Sequence, residues 1–186
     1  QLLDETIPEK EGWIDREKLL KITGRSRSEQ IQCAENLGIT EYPNPAGGCL
    51  LTDQGFARRM KDTFQHGYRN FRETIALKWG RHFRVDEKFK IIVGRDKEEN
   101  DSLLRYAHPD DIILQLAKYE GPLVVVKGEN PSEDTLALAG GLCQRFSRYK
   151  EEAPLNITYW LVANRNEKKI ILSRRVNDEE IEKIKI

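Results

Sequence analysis

Little in this chain points to redox or metal chemistry. Three cysteines, Cys33, Cys49 and Cys143, are spread over 186 residues. Odd in number and far apart, they make no disulfide framework, and without a CxxC pair or Cys/His cluster they suggest no zinc site. His66, His82 and His108 have no carboxylate or cysteine at ligand spacing, so no metal is expected. No apolar run approaches the roughly 20 residues that cross a bilayer, and no basic-then-apolar leader precedes the first expected helix. No membrane partner is therefore expected, and a reducing, cytoplasmic compartment is the simplest expectation. Acids are plentiful, yet spacing alone assigns no pair of them to catalysis. Internal repeats and low-complexity tracts are absent as well. The chain opens on Gln1 rather than Met, which reads as a piece of a longer protein.

What is present is charge, and it is unevenly placed. The totals cancel, 31 Lys/Arg against 31 Asp/Glu, in a chain that is 38% hydrophobic and 33% charged. Residues 1–53 hold six basic residues against ten acids. Gln54 to Arg84 holds eight basic residues against Asp62 and Glu73 alone. A concentrated basic segment in a neutral chain points to a polyanionic partner, because phosphate contacts from Lys and Arg give sequence-independent affinity.

Periodicity divides the chain into three. Residues 1–53 read as a linker and small helical subdomain: a helix over 13–22, another begun by Ser26 or Ser28 and stopped by Gly38, then a Pro/Gly loop ending at Cys49. Residues 54–79 read as a basic helical connector, with Asp53 or Thr52 as cap and Phe56, Met60 and Phe64 as its buried stripe. From 80 to 186 the period alternates between strand and helix without a regular βαβ repeat. Strands are expected over 82–85, 89–93, 112–117 and 123–126, followed by a hairpin of 157–163 and 169–172 turning at 164–167. Asp96 caps one helix, Ser132 or Asp134 another, and a charged helix closes the chain. The fold class is α+β, a small helical subdomain followed by a mixed or antiparallel sheet flanked by helices.

Two motif groups carry a resemblance. Gly24-Arg25-Ser26-Arg27, Tyr42-Pro43 and Pro45-Ala46-Gly47-Gly48-Cys49-Leu50-Leu51-Thr52-Asp53 resemble the region after the PP-loop ATPase domain of tRNA 2-thiouridylase-like (TrmU/ThiI-like) proteins. Gly80-Arg81-His82-Phe83-Arg84, Ile91-Ile92-Val93-Gly94-Arg95, Glu99-Asn100, Asp110 and Gly121-Pro122 resemble the NFACT-R module, an RNA-binding domain also found in ribosome-quality-control proteins. The Ser-Gly-Gly-x-Asp-Ser loop that binds ATP in PP-loop enzymes does not occur. The resemblance therefore implies no cofactor in this chain, with ATP held by an ATPase domain upstream of Gln1. It implies as partners tRNA or another structured RNA, that ATPase domain, and a sulfur-carrier protein.

The candidate RNA contacts are Arg58, Arg59, Lys61, Arg81, His82, Arg84, Arg95 and Asn100. The first six lie in or beside the basic segment. Gly94-Arg95 with Asn100 reads either as a phosphate-binding corner or as a turn with Arg95 paired to Glu98 or Glu99. Cys49 is the catalytic candidate: either a thiol that passes sulfur, activated by the helix start at Asp53, or a small hydrophobe beside Leu50 and Leu51. Cys33 and Cys143 are expected in cores. Three functions follow: tRNA docking for a thiolation enzyme, sulfur transfer through Cys49, or a protein-interaction module.

Overall fold

The computed structural model describes residues 4–20, 22, 27–41, 49–67 and 71–186. The break at Thr23–Ser26, with Arg25 in it, the loop Tyr42–Gly48 and the break Tyr68–Asn70 lie outside the described residues. The chain divides into two compact units, Gln1–Gly47 and Gly48–Ile186.

In the first unit α1 spans Ile7–Lys10 and α2 spans Ser28–Asn36. A reciprocal capping box between Thr6 and Glu9 starts α1. The helix expected over 13–22 reduces to a 3₁₀ turn, Arg16–Lys18, begun by the Asp15 carboxylate accepting from the Glu17 amide. Leu19 is already extended, and the Arg16 guanidinium reaches back to Glu9 and the Asp4 carbonyl. Gly38 adopts φ +71° just past α2, the left-handed stop expected of it. No described residue of this unit is buried, and Trp13 is 75% exposed.

The second unit opens with a 3₁₀ turn, Leu50–Thr52, followed by α3 (Gln54–Gln65) and α4 (Phe71–Ala76). Asp53 caps α3 through the Phe56 amide, as expected. Then come β1 (Arg81–Arg84), β2 (Lys90–Val93), α5 (Lys97–Tyr106), β3 (Ile112–Leu116), β4 (Val124–Lys127), α6 (Glu133–Arg145), β5 (Asn156–Leu161), β6 (Asn164–Leu172) and α7 (Asp178–Ile184). The six strands form one antiparallel sheet in the order β1-β2-β4-β3-β5-β6. The α+β class is therefore as expected, and within the sheet every pairing is antiparallel.

Side chains alternate across a strand, so each strand feeds two layers. Phe83, Ile91, Val93, Leu114, Val124 and Val126 face α6, whose Leu138, Ala139, Leu142 and Cys143 complete that core. Gly141 is needed there: a Cβ would stand 2.3 Å from the Arg174 carbonyl oxygen. The opposite layer holds Ile92, Ile113, Val125 and Trp160 against Leu103 of α5 and Ala107 just after it.

That second layer also buries charge. Lys90 and Lys127 share the face of Ile92 and Val125 on β2 and β4 and are 2% and 3% exposed. Lys127 Nζ donates to Glu73 on α4 at 2.7 Å and to Asp111 at 2.9 Å. Lys90 Nζ donates to Asp62 on α3 at 3.0 Å, and Arg84 grips the same carboxylate with two nitrogens, at 2.9 and 2.7 Å. Burial alone would raise the Asp62 pKa, but the Arg84 hydrogen bonds and the Lys90 charge hold it at about 2. Burial likewise opposes the Lys127 charge, and Asp111 and Glu73 outweigh it, raising that pKa.

These ion pairs turn α3 away from its expected orientation. Of the stripe Phe56, Met60 and Phe64, only Phe56 is buried; Phe64 is 50% exposed, and Asp62 and Thr63 go inside instead. The last hairpin also differs from expectation. Leu161 pairs with Asn164, so the turn is Val162-Ala163 and the polar run 164–167 is strand. An edge strand tolerates polar residues on its solvent side.

Two predictions follow from the buried charges. Lys127→Met removes the cation between Glu73 and Asp111 and should cost about 3–5 kcal/mol in urea unfolding; a loss below about 1 kcal/mol would contradict a clamping role. His82 is 2% exposed, with Nε2 on the Trp79 carbonyl and Nδ1 without a partner. Burial, then the Lys90 charge, push its pKa well below 6.5. Below about pH 6.5 the unfolded chain binds a proton that the folded chain refuses, so stability falls on acidification, by up to about 1.4 kcal/mol per pH unit. His82→Gln should flatten this dependence in thermal unfolding between about pH 7.5 and about pH 5.5; an unchanged slope would place its origin elsewhere.

Candidate functional site

The corner where β2 meets α5 is built by three accepting side chains, Asp96, Glu99 and Asn100. Asp96 caps α5 through the Glu99 amide. Glu99 then accepts from the amides of Gly80 and Arg95, at 3.0 and 2.9 Å, and from the Arg95 guanidinium at 2.9 Å. Asn100 Oδ1 accepts from the Leu123 amide at 3.0 Å, while the Gly94 amide donates to the Leu123 carbonyl. A Cβ on Gly94 would fall 2.0 Å from Asn100 Oδ1, so only glycine leaves room for that link. The corner is thus the turn with Arg95 paired to Glu99, and Asn100 is its strut.

Three guanidinium groups converge here. Arg59 Nε donates to the Leu77 carbonyl, and its pKa is lowered by burial and then by the Arg95 charge. Arg81 lies 4.7 Å over the Phe146 ring, and its pKa is lowered by the same two causes in the same order. Arg95 remains 43% exposed at its side chain.

Arg95 lines two adjoining cavities. The first, of about 470 Å³, lies between the start of α3 and the end of α4, with Arg59, Lys78 and Arg95 as its cations. Its one acid is Asp53, already committed to the α3 cap. The second, of about 650 Å³, runs along α5 to the β3–β4 loop and the end of α6. Arg95, Lys97 and Arg148 there face an equal number of acids, Asp96, Asp101 and Glu120. Gln115, Ser147, Tyr119 and Phe146 supply polar and aromatic surface, and the Tyr119 ring sits 4.3 Å from that of Tyr149. Lys78, Gln115 and Arg148 make no ion pair or side-chain hydrogen bond with another described residue.

The predicted residues separate into three groups. Arg59, Arg81, Arg95 and Asn100 come together at this corner. Arg58 and Lys61 line a different groove, with Lys183 and Lys185 of the C-terminal segment. His82 and Arg84 are corrections. His82 is buried and cannot touch a ligand, because both faces of β1 are covered: Phe83 packs in the α6 layer, and His82 lies opposite Ile92 in the other. Arg84 is held by Asp62 in the buried ionic layer. Cys49 is exposed, its carbonyl accepting from the Thr52 hydroxyl. Cys143 is a core residue as expected, its pKa pushed by burial up to about 12. Among the described residues no group of His, Cys, Asp and Glu could hold a metal, and no helix is long and apolar enough to cross a membrane.

Sequence reasoning passed over Lys78, Tyr119 and Gln115 as candidates. Lys78 belongs to the basic segment, but nothing in one dimension distinguishes it from its neighbours. Tyr119 and Gln115 precede Gly121-Pro122, which reads only as a turn.

Comparison with known proteins bears on this region. The family model described as the NFACT protein RNA binding domain matches residues 80–184. Among solved structures the chain is similar to the C-terminal part of the fibronectin/fibrinogen-binding protein from Streptococcus suis. Identity is 16%, the TM-score is 0.53, and the likeness covers 74% of this chain but only 65% of that one. This is a likeness of fold. No curated protein matches the chain.

The corner yields its own test. Gly94→Ala should displace Asn100 from the Leu123 amide and cost about 1–3 kcal/mol in denaturant unfolding. Wild-type stability in that variant would show that Asn100 does not brace the corner.

Proposed function

The chain belongs to the family of NFACT protein RNA-binding domains, and from that premise we propose that it docks RNA on the surface around Arg95. The observation that carries the placement is the convergence of Arg59, Lys78 and Arg95 on one cavity, three cations against the single acid Asp53 among the described residues that line it. Such a pocket attracts phosphate oxygens, and Arg81 and Arg148 extend the positive field along the same side of the corner. The groove of Arg58 and Lys61 is also basic, but it lacks an aromatic side chain and its two arginines include the committed Arg84. It is the weaker candidate.

The finer setting, docking of tRNA for thiolation beside a PP-loop domain that holds ATP, rests on the likeness of Gly24–Arg27 and Tyr42–Asp53 alone. A sulfur-transfer role for Cys49 and a sulfur-carrier partner rest on the same run. Exposure of Cys49 is compatible with that role, and Cys49→Ser in the thiolating protein tests it: loss of thiolation with RNA binding intact supports it, and unchanged thiolation removes it.

Docking itself is tested by a salt series with bulk tRNA. Affinity should fall with salt along a log–log slope of roughly −0.7 to −0.9 per phosphate contacted. Lys78→Glu and Arg148→Glu should each weaken binding and flatten that slope by about one contact. Arg58→Glu should change it less. Equal effects at Arg58 and Lys78 would move the interface to the other groove, and no binding at low salt would remove the function.

A further inference from the structure

We propose that the 650 Å³ cleft beside Arg95 receives a single unstacked nucleobase, so that this surface selects unpaired RNA over duplex. The inference rests on the docking function above and concerns what enters its second cavity. The two cavities that share Arg95 differ in kind. The smaller is cationic. The larger balances its charges and mixes polar and aromatic side chains, a composition that suits a flat heterocycle better than a phosphate. Its volume falls in the range of about 300–1,000 Å³ typical of small-molecule sites.

A nucleotide has the same division, an anionic phosphate joined to an uncharged ring with a hydrogen-bonding edge. With the phosphate held by Arg59, Lys78 and Arg95, the base of that nucleotide lies toward the Tyr119 side. Tyr119 is 44% exposed and already backed by Tyr149, so a base can stack on its open face. Gln115 projects from β3 with no partner among the described residues and offers both a donor and an acceptor to the base edge. The carboxylates of Asp101 and Glu120 repel a phosphate from this cavity and can accept from an exocyclic amine. A base paired inside a duplex presents neither its face nor that edge.

The test uses the full chain and a short unstructured oligoribonucleotide carrying 2-aminopurine, compared with the same strand annealed to its complement. Single-strand binding should be tighter and should change the 2-aminopurine fluorescence. Tyr119→Ala should weaken it roughly tenfold or more, the size of one lost base–aromatic stack, while leaving duplex binding unaltered. Tyr119→Phe should bind like wild type, which separates loss of stacking from loss of folding. Equal affinity for strand and duplex, with Tyr119→Ala silent, overturns the base cleft and leaves phosphate docking standing. No binding of either RNA at low salt overturns both.

Discussion

Two lysines in the middle of a sheet face dictate how this unit is assembled. Lys90 and Lys127 point into the layer between the sheet and its helices, where an uncompensated ammonium costs several kcal/mol. Their carboxylates come from outside the sheet or from its margin: Asp62 on α3, Glu73 on α4, and Asp111 just before β3. Both helices are therefore tied to fixed points on β2 and β4. Arg84 completes the Asp62 end with a two-pronged contact, the geometry that makes guanidinium–carboxylate pairs directional. The matched family segment begins at Gly80, yet the physical unit reaches back to include α3 and α4, because the sheet's buried cations find acids there.

This clamp has a functional consequence. Holding α3 and α4 on the sheet places Arg59 and Lys78 beside Arg95, which stands on the β2–α5 corner. Neither the helical pair nor the corner would make the cationic pocket alone. Glu99 serves as the local counterweight, bracing Gly80 and Arg95 together while leaving much of the Arg95 guanidinium in solvent. The basic segment is thus divided by folding into charges that neutralise buried acids and charges that remain for a ligand.

The architecture was largely legible, the site less so. Capping residues at Asp53, Asp96 and Ser132 announced their helices because each side chain meets an amide in the next turn, a relation local in sequence. Short apolar runs bounded by turn residues announced β2, β3 and β4 for the same reason. Periodicity failed at α3, where the apolar stripe through Met60 and Phe64 was outweighed by Asp62, whose partners lie 22 and 28 residues away. It failed again at β6, where edge position permits a polar strand. Arg59 and Arg95 were legible as residue types, but their meeting depends on that same long-range pairing. His82 and Arg84 read as a basic strand, and only the fold shows that both are used inside, Arg84 by Asp62 and His82 by burial against the Trp79 carbonyl.

Mapping backbone amide shifts by NMR during titration with single-stranded RNA tests the central claim most directly. The account predicts perturbations concentrated at Lys78 to Arg81, at Arg95 to Asn100, in the β3–β4 loop and at Phe146 to Arg148. Perturbations confined to Arg58, Lys61 and the C-terminal residues, with the Arg95 corner unmoved, would contradict it.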